Sequence, residues 1–318
     1  MTHRTLPSRP LQKKFLFGAV FLLLFFFFFR GFFIQKTLPS RVGIVIVGSP
    51  YRVVVWDRPR GAFTSILVPD DAVIDIVHGY GRLPVRSLLR LDVMEKQHGR
   101  IIRETMSDAV GFPIDYHLVC EDCTETGEER LMLRRIFSIG KIIPILFSQA
   151  ETNIGWYMYA MLSRSVSIVS NQSVFSFSAD APGVLTQEQD PDGSVVRYFN
   201  GPAFDVRLGT RLEDSDIGLE RKTVAFFNAS DIPGLAQKAV RLVEKSGVHV
   251  VFVGNRSDQR SAPCVIEIDK QLTNTKTVQF IKRNLGCSIE SSTGDGNQAD
   301  IQVVLYPQWG ERYFPLKK

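Results

Sequence analysis

Residues 223–253 read TVAFFNASDIPGLAQKAVRLVEKSGVHVVFV, and the change of period inside this stretch decides how the C-terminal third of the chain folds. Thr223 to Phe227 is a β-branched and aromatic run, which favours a strand. Ile232-Pro233-Gly234 breaks it, and Leu235, Ala239, Leu242 and Val243 then share one face at helical spacing. Gly247 stops that helix, and Val248 to Val253 reads as the next strand. Downstream, Cys264 to Ile268 is a strand, Thr275 to Leu285 a second helix ending at Gly286, and Ile301 to Leu305 the closing strand. The order β-α-β-β-α-β predicts a ferredoxin-like domain over residues 222–318.

Toward the N-terminus, Leu212 to Arg221 (LEDSDIGLER) is charged and short of secondary-structure signal, so residues 212–221 are expected to be the linker between two domains. Val42 to Val47 and Tyr51 to Trp56 are β-branched runs joined at Gly48-Ser49-Pro50, and Phe63 to Val68 and Val73 to Val77 continue the pattern across Pro69-Asp70-Asp71. Leu88 to Val110 carries apolar residues at helical spacing and closes at Gly111-Phe112-Pro113. A further helix is expected from Arg130, and TQEQDPDG at 186–193 is expected to be a surface loop. The whole is of the α+β class, with a mixed α/β domain over 42–211.

The segment Phe15 to Ile34 (FLFGAVFLLLFFFFFRGFFI) has one charge, Arg30, in twenty residues. A helix of that length spans roughly 30 Å, the thickness of a bilayer's hydrocarbon core, and Arg30 near its end can snorkel to the interface. No A-x-A-like cleavage site follows in RGFFIQKTLPS. The expectation is an uncleaved transmembrane helix at 15–34, a cytoplasmic tail at 1–14, a body outside the cytoplasm, and the lipid bilayer as a partner. Seven of the 38 basic residues lie in the first 41 positions, which hold no acid. The remaining body therefore carries 31 basic against 33 acidic side chains. A nearly neutral body has no concentrated basic face for phosphate backbones, so no nucleic-acid partner is expected.

Residues 221–315 resemble the C-terminal domain of the LytR-CpsA-Psr family of bacterial envelope proteins. The resemblance rests on Val224-Ala225-Phe226-Phe227-Asn228-Ala229-Ser230, on Gly234-Leu235-Ala236, on Gly247, and on Ala299-Asp300-Ile301 with Val303-Val304-Leu305. Within it, the strand-to-helix loop of Asn228, Ser230 and Gly234 is the candidate ligand loop. Exposed amides at a helix start can accept an anion or a sugar carboxylate. The same residues also read as plain structure, Asn in a turn and Gly at a close packing point.

Residues 42–118 resemble a degenerate form of the family's catalytic domain. Pro69 and Asp71 of Ser65-Ile66-Leu67-Val68-Pro69-Asp70-Asp71 match the family's Ser-Ile-Pro-Arg-Asp-Thr, and Asp70 stands where the family has arginine. Arg134-Arg135 and Arg164 lie in surroundings unlike the family's arginine cluster. The resemblance implies a membrane-anchored envelope protein that binds or scaffolds at peptidoglycan or a wall glycopolymer, without catalysis. The alternative it implies is a phosphotransferase that moves a glycopolymer from a polyprenyl pyrophosphate carrier to peptidoglycan, with Mg²⁺ as cofactor. That reading requires arginines converging with Asp71, since pyrophosphate is held by arginines and a divalent ion. No catalytic, cofactor-binding or metal-ligating residue is assigned.

Four cysteines, Cys120, Cys123, Cys264 and Cys287, suit disulfides outside the cytoplasm. Cys264 opens a strand and Cys287 follows the next helix, so these two are the expected bridge. His117, Cys120 and Cys123 also have the spacing of three zinc ligands, with no fourth adjacent. Trp156, Tyr157 and Tyr159 can form either a sugar-stacking platform or part of a core. No G-x-S-x-G elbow and no phosphate-binding glycine loop is present.

Overall fold

Arg41–Val47 (β1), Tyr51–Asp57 (β2) and Ala62–Val68 (β3) form an antiparallel meander, as the β-branched runs predict. In this computed structural model, residues 39–120, 127–146, 150–189, 193–258, 260–291 and 299–314 are described. The expected tail and membrane helix at 1–34 lie outside them. Among the described residues no helix is long and apolar enough to cross a membrane.

After β3 come Ala72–Ile76 (β4), Gly81–Pro84 (β5), and the helices Leu88–Met94 (α1) and Arg100–Val110 (α2). Tyr116–Val119 (β6) leads to Glu129–Ile136 (α3), Ile142–Leu146 (α4) and Trp156–Ile168 (α5). Val174–Ser178 (β7), Leu185–Gln189 (β8), Val195–Phe199 (β9), Gly201–Leu208 (α6) and Ser215–Glu220 (α7) follow. The first sheet has the order β6-β1-β2-β3-β7, with both edge strands parallel to their neighbours. A second sheet has the order β5-β4-β9-β8. Val45, Val53, Val55, Ile66 and Val68 pack with Ile101, Ile102, Met106 and Val110 of α2 to make the first core. Each such fully buried aliphatic side chain contributes about 1.5–3 kcal/mol.

The C-terminal part consists of Thr223–Asn228 (β10), Leu235–Glu244 (α8), His249–Asn255 (β11), Cys264–Ile268 (β12), Lys276–Leu285 (α9), Ser288–Ser291 (β13) and Ile301–Leu305 (β14). Its sheet has the order β11-β10-β14-β12-β13. Leu235, Ala239 and Val243 of α8 and Val278, Ile281 and Leu285 of α9 pack on Val224, Phe226, Ile266, Ile301 and Val303.

Three expectations are corrected. The ferredoxin-like β-α-β-β-α-β order misses a fifth strand, β13, which pairs parallel with β12. Both helices are crossovers between adjacent parallel strands, β10-α8-β11 and β12-α9-β13, while β14 inserts between the two units. The helical stretch Leu88 to Val110 is broken at 95–99. There Lys96 and His98 take φ values of 54° and 50°, and the Asp92 carboxylate accepts hydrogen bonds from the amides of Gly99 (2.5 Å) and Ile101 (2.9 Å) to start α2 afresh. The expected loop at 186–193 is strand as far as Gln189, paired antiparallel with β9. Its polar residues lie on a sheet edge, where alternation of apolar residues is not required.

Residues 212–221 hold α7. Leu212 belongs to the first core and Ile217 to the second, and residues 41–318 form one compact unit. The junction is clamped by Arg241 of α8. It hydrogen-bonds Asp205 of α6 through Nε (3.0 Å) and Nη2 (3.1 Å), and reaches the carbonyls of Asp108 and, at 2.8 Å, Ala109 on α2. Lys245 also pairs with Asp205.

Candidate functional site

β10, β11 and β14 are parallel neighbours, so their carboxyl ends open on one edge of the sheet, where open α/β sheets place ligands. A cavity of about 400 Å³ lies there, lined by Ser230 and Asp231 after β10, Arg256, Asp258 and Arg260 after β11, and Gln308 after β14.

The candidate ligand loop meets this cavity through Ser230. Asn228 works beneath it: it is 7% exposed, and its Oδ1 accepts from the Ser230 amide (3.1 Å) and hydroxyl (2.6 Å) while its Nδ2 donates to the Ile232 carbonyl (2.9 Å). The Ser230 Oγ in turn accepts from the Ile232 amide at 3.2 Å. This is a self-satisfied turn of the kind Asn and Ser favour. Gly234, at φ 74°, makes the left-handed residue that precedes α8 and is not part of the cavity wall.

The charged wall was not legible as a site from the sequence. Arg256 donates to Glu267 (2.7 Å) and lies 2.9 Å from Asp258, and Arg260 pairs with Glu267 (3.1 Å) and with Glu290. The Tyr306 hydroxyl donates to Asp258 at 2.8 Å; burial, reinforced by that carboxylate, pushes its ionisation well above the ordinary tyrosine value. The hydrogen bond to Glu267 holds the Arg256 guanidinium charged still more firmly. Guanidinium donors interleaved with carboxylate acceptors, beside the serine hydroxyl and the Gln308 amide, complement a polyhydroxyl ligand whose hydroxyls both donate and accept. The signal that points to them is the R-S-D-x-R spacing at 256–260 directly after a strand.

At the β3–β4 turn, Asp71 does meet an arginine, Arg197 of β9, through Nε at 2.7 Å and through Nη2. Arg197 Nη1 donates to Asp180 at 2.5 Å. The pair holds the Asp71 carboxyl below the usual carboxylate range. It sits at the surface, the Asp71 side chain being 49% exposed. The Asp70 carboxylate accepts from the Ser49 hydroxyl. Arg134 is occupied elsewhere, donating to the carbonyls of Val166 (3.3 Å) and Ser167 (2.5 Å) at the end of α5.

A buried charge lies inside the first sheet. Arg52 of β2 is 2% exposed and donates to both Glu129 carboxylate oxygens (3.1 and 2.9 Å), of which Oε1 also accepts from the Ser65 hydroxyl. A buried, hydrogen-bonded pair of this kind is costly to break from one side.

Cys264 and Cys287 are joined by a disulfide with a Cα–Cα distance of 4.4 Å. Cys120 is also disulfide-bonded, so it is not available as a thiolate ligand, and Cys123 lies outside the described residues. No group of three His, Cys, Asp or Glu side chains able to hold a metal occurs among the described residues. His117 is buried at the sheet edge with its Nδ1 2.9 Å from Arg103 Nη1, and burial followed by that cation lowers its pKa. Tyr159 is wholly buried and donates to the Ile136 carbonyl at 2.7 Å, so it belongs to the core. Trp156 is 38% exposed and packs edge-on against Tyr157.

Residues 221–309 match the family model described as "LytR cell envelope-related transcriptional attenuator". No curated protein matches the chain significantly. Solved structures that the chain matches include a transcriptional regulator from Enterococcus faecalis (12% identity, 54% of this chain and 88% of that one, TM-score 0.38). TagV of B. subtilis is another (13% identity, 54% and 95%, TM-score 0.39). A third is the LytR-CPS2A-psr family protein YwtF (TagT), also of B. subtilis, with bound octaprenyl pyrophosphate lipid (14% identity, 52% and 87%, TM-score 0.36). Likenesses this distant transfer no activity.

Proposed function

We propose that this chain is a single-pass, membrane-anchored protein of the bacterial cell envelope, with its N-terminus cytoplasmic and its body outside. The C-terminal domain over 222–318 binds or scaffolds at peptidoglycan or a wall glycopolymer, and the degenerate 42–211 domain carries it without catalysis. The observation that carries this reading is the polar cavity formed by Ser230, Asp231, Arg256, Asp258 and Arg260 in the segment that matches an envelope-related family. The apolar run at 15–34 supports the anchor, and the Cys264–Cys287 disulfide supports an oxidising compartment.

The test is co-sedimentation of the full-length chain with purified wall sacculi. Binding is expected for the wild type and expected to weaken at least tenfold in Arg256→Gln and Asp258→Asn variants that retain the wild-type circular dichroism. Equal sedimentation of wild type and both variants would sink the cavity as the wall site.

One observation favours the phosphotransferase reading, the Arg197–Asp71 pair. It predicts Mg²⁺-dependent binding to vesicles carrying polyprenyl pyrophosphate, lost in Arg197→Gln. Absence of that binding leaves the non-catalytic reading in place.

A further inference from the structure

The seam between α2, α8 and α9 encloses a second polar cavity, of about 240 Å³, with a surplus of unpaired cation. Three arginines reach it, Arg103 from α2, Arg283 from α9 and Arg312 from the turn after β14, with Glu104, Asp115 and Asn284 beside them.

The two carboxylates are already engaged. Glu104 accepts from Arg100 Nε (3.0 Å) and from His78 Nε2 (2.7 Å), and Asp115 Oδ2 accepts from the Gly43 amide at 3.2 Å. None of the three arginines has a carboxylate within ion-pair distance among the described residues, although Arg312 and Arg283 act on Glu104 and Asp115 at longer range. Among the described residues the side chains of Arg283 and Arg312 make no hydrogen bond and no ion pair within 4 Å, and Arg103 is bonded through Nη1 alone. The Arg312 Nε is buried with no hydrogen-bond partner, its guanidinium lying over the Trp309 and Tyr313 rings at 5.5 and 5.6 Å. A buried donor left empty costs about 1–3 kcal/mol, and such a group in a folded protein calls for an occupant. Burial lowers the Arg103 pKa, and burial raises that of Asp115 against the opposing pull of Arg283 and Arg103.

We infer that this seam is an anion site that takes a phosphate group between Arg103, Arg283 and Arg312, with Asn284 at its edge. Three guanidinium forks arriving from three different elements suit a tetrahedral oxyanion better than a planar carboxylate, which one fork satisfies. Because the three arginines belong to both halves of residues 41–318, the bound anion would fasten them together. The inference stands independently of the wall-binding reading, which uses a different cavity. The phosphate can be a free ion or one unit of a phosphodiester-linked polyol polymer, and the experiment separates them.

The full-length chain is titrated calorimetrically with inorganic phosphate at constant ionic strength, with chloride as the balancing anion. Saturable one-to-one binding is expected, weakened at least tenfold in Arg283→Gln and in Arg312→Gln and unchanged in Lys270→Gln, which lies outside the cavity. Asn284→Asp preserves side-chain size while adding a negative charge, and it is expected to weaken binding similarly; it serves if an arginine variant fails to fold. Displacement of phosphate by poly(glycerol phosphate), with the same arginine dependence, identifies the polymer as the source, and failure of displacement identifies the free ion. No saturable binding, or binding indifferent to Arg283, Arg312 and Asn284, overturns the site.

Discussion

Asn228 illustrates how a residue that invites a ligand reading can be used from within. Its amide makes bonds to Ser230 and Ile232 that hold the loop over the β10 end, and little of it reaches solvent. Asn228→Ala is expected to cost about 1–3 kcal/mol, read as a lower urea midpoint, because the Ser230 amide and the Ile232 carbonyl lose their partner. Glu104 sets an acid limit. Burial alone would raise its pKa, but the hydrogen bond from His78, together with Arg312 and Arg100, overcomes this and holds it at about 2 against an ordinary 4.5. The folded state therefore binds the proton less well than the unfolded chain. Stability from this group is complete above pH 4.5 and is lost as pH falls toward 2, by about 3 kcal/mol in all. Urea titrations across that range should show the loss in the wild type and its removal in Glu104→Gln. Arg52 was illegible for the opposite reason to Asn228. In YRVVVW it is the one charge in an apolar run, with Val54 and Trp56 on its own face, and its counter-ion, Glu129, lies 77 positions away where no local pattern points to it.

Among elements, the Cys264–Cys287 bridge ties the start of β12 to the residue before β13, across the whole of α9. Replacing both cysteines by alanine is expected to lower stability by about 2–4 kcal/mol in thermal unfolding, with the fold retained. The helices and central strands of this region were legible because each carries both its period and its punctuation: Gly234 and Gly247 bracket α8, Thr275 and Gly286 bracket α9. The edge strands β13 and β8 were not. β13 is four residues of SIES and β8 is LTQEQ, and hydrogen bonding to a neighbour, rather than burial of one face, makes them strands. The break between α1 and α2 was hidden as well, since it depends on Asp92 reaching forward to amides at 99 and 101. The cavity at the carboxyl ends of β10, β11 and β14 follows from strand order, which parallel pairing sets at long range and no local pattern announces.

At the scale of the whole molecule, Arg241 joins α8 to α6 and α2 through one guanidinium. Arg241→Ala leaves two helix-end carbonyls without that donor and Asp205 with Lys245 alone, and a loss of about 1–3 kcal/mol is expected. The two cores would then melt separately, so calorimetry should resolve two transitions where the wild type gives one. Arg241→Lys should not restore the single transition, because an ammonium cannot fork across two carboxylate oxygens and a carbonyl at once. The position of β1 matters in a different way. It starts at Arg41, separated by the six residues 35–40 from the segment proposed as anchor, and lies between β2 and β6 with six antiparallel and four parallel residue pairs. If the protein bridges membrane and wall, tension enters the body at Arg41 along the strand axis. The ladder bonds on both sides of β1 are then sheared together rather than peeled one by one, and a strand placed this way bears a load that the same hydrogen bonds at a sheet edge would not.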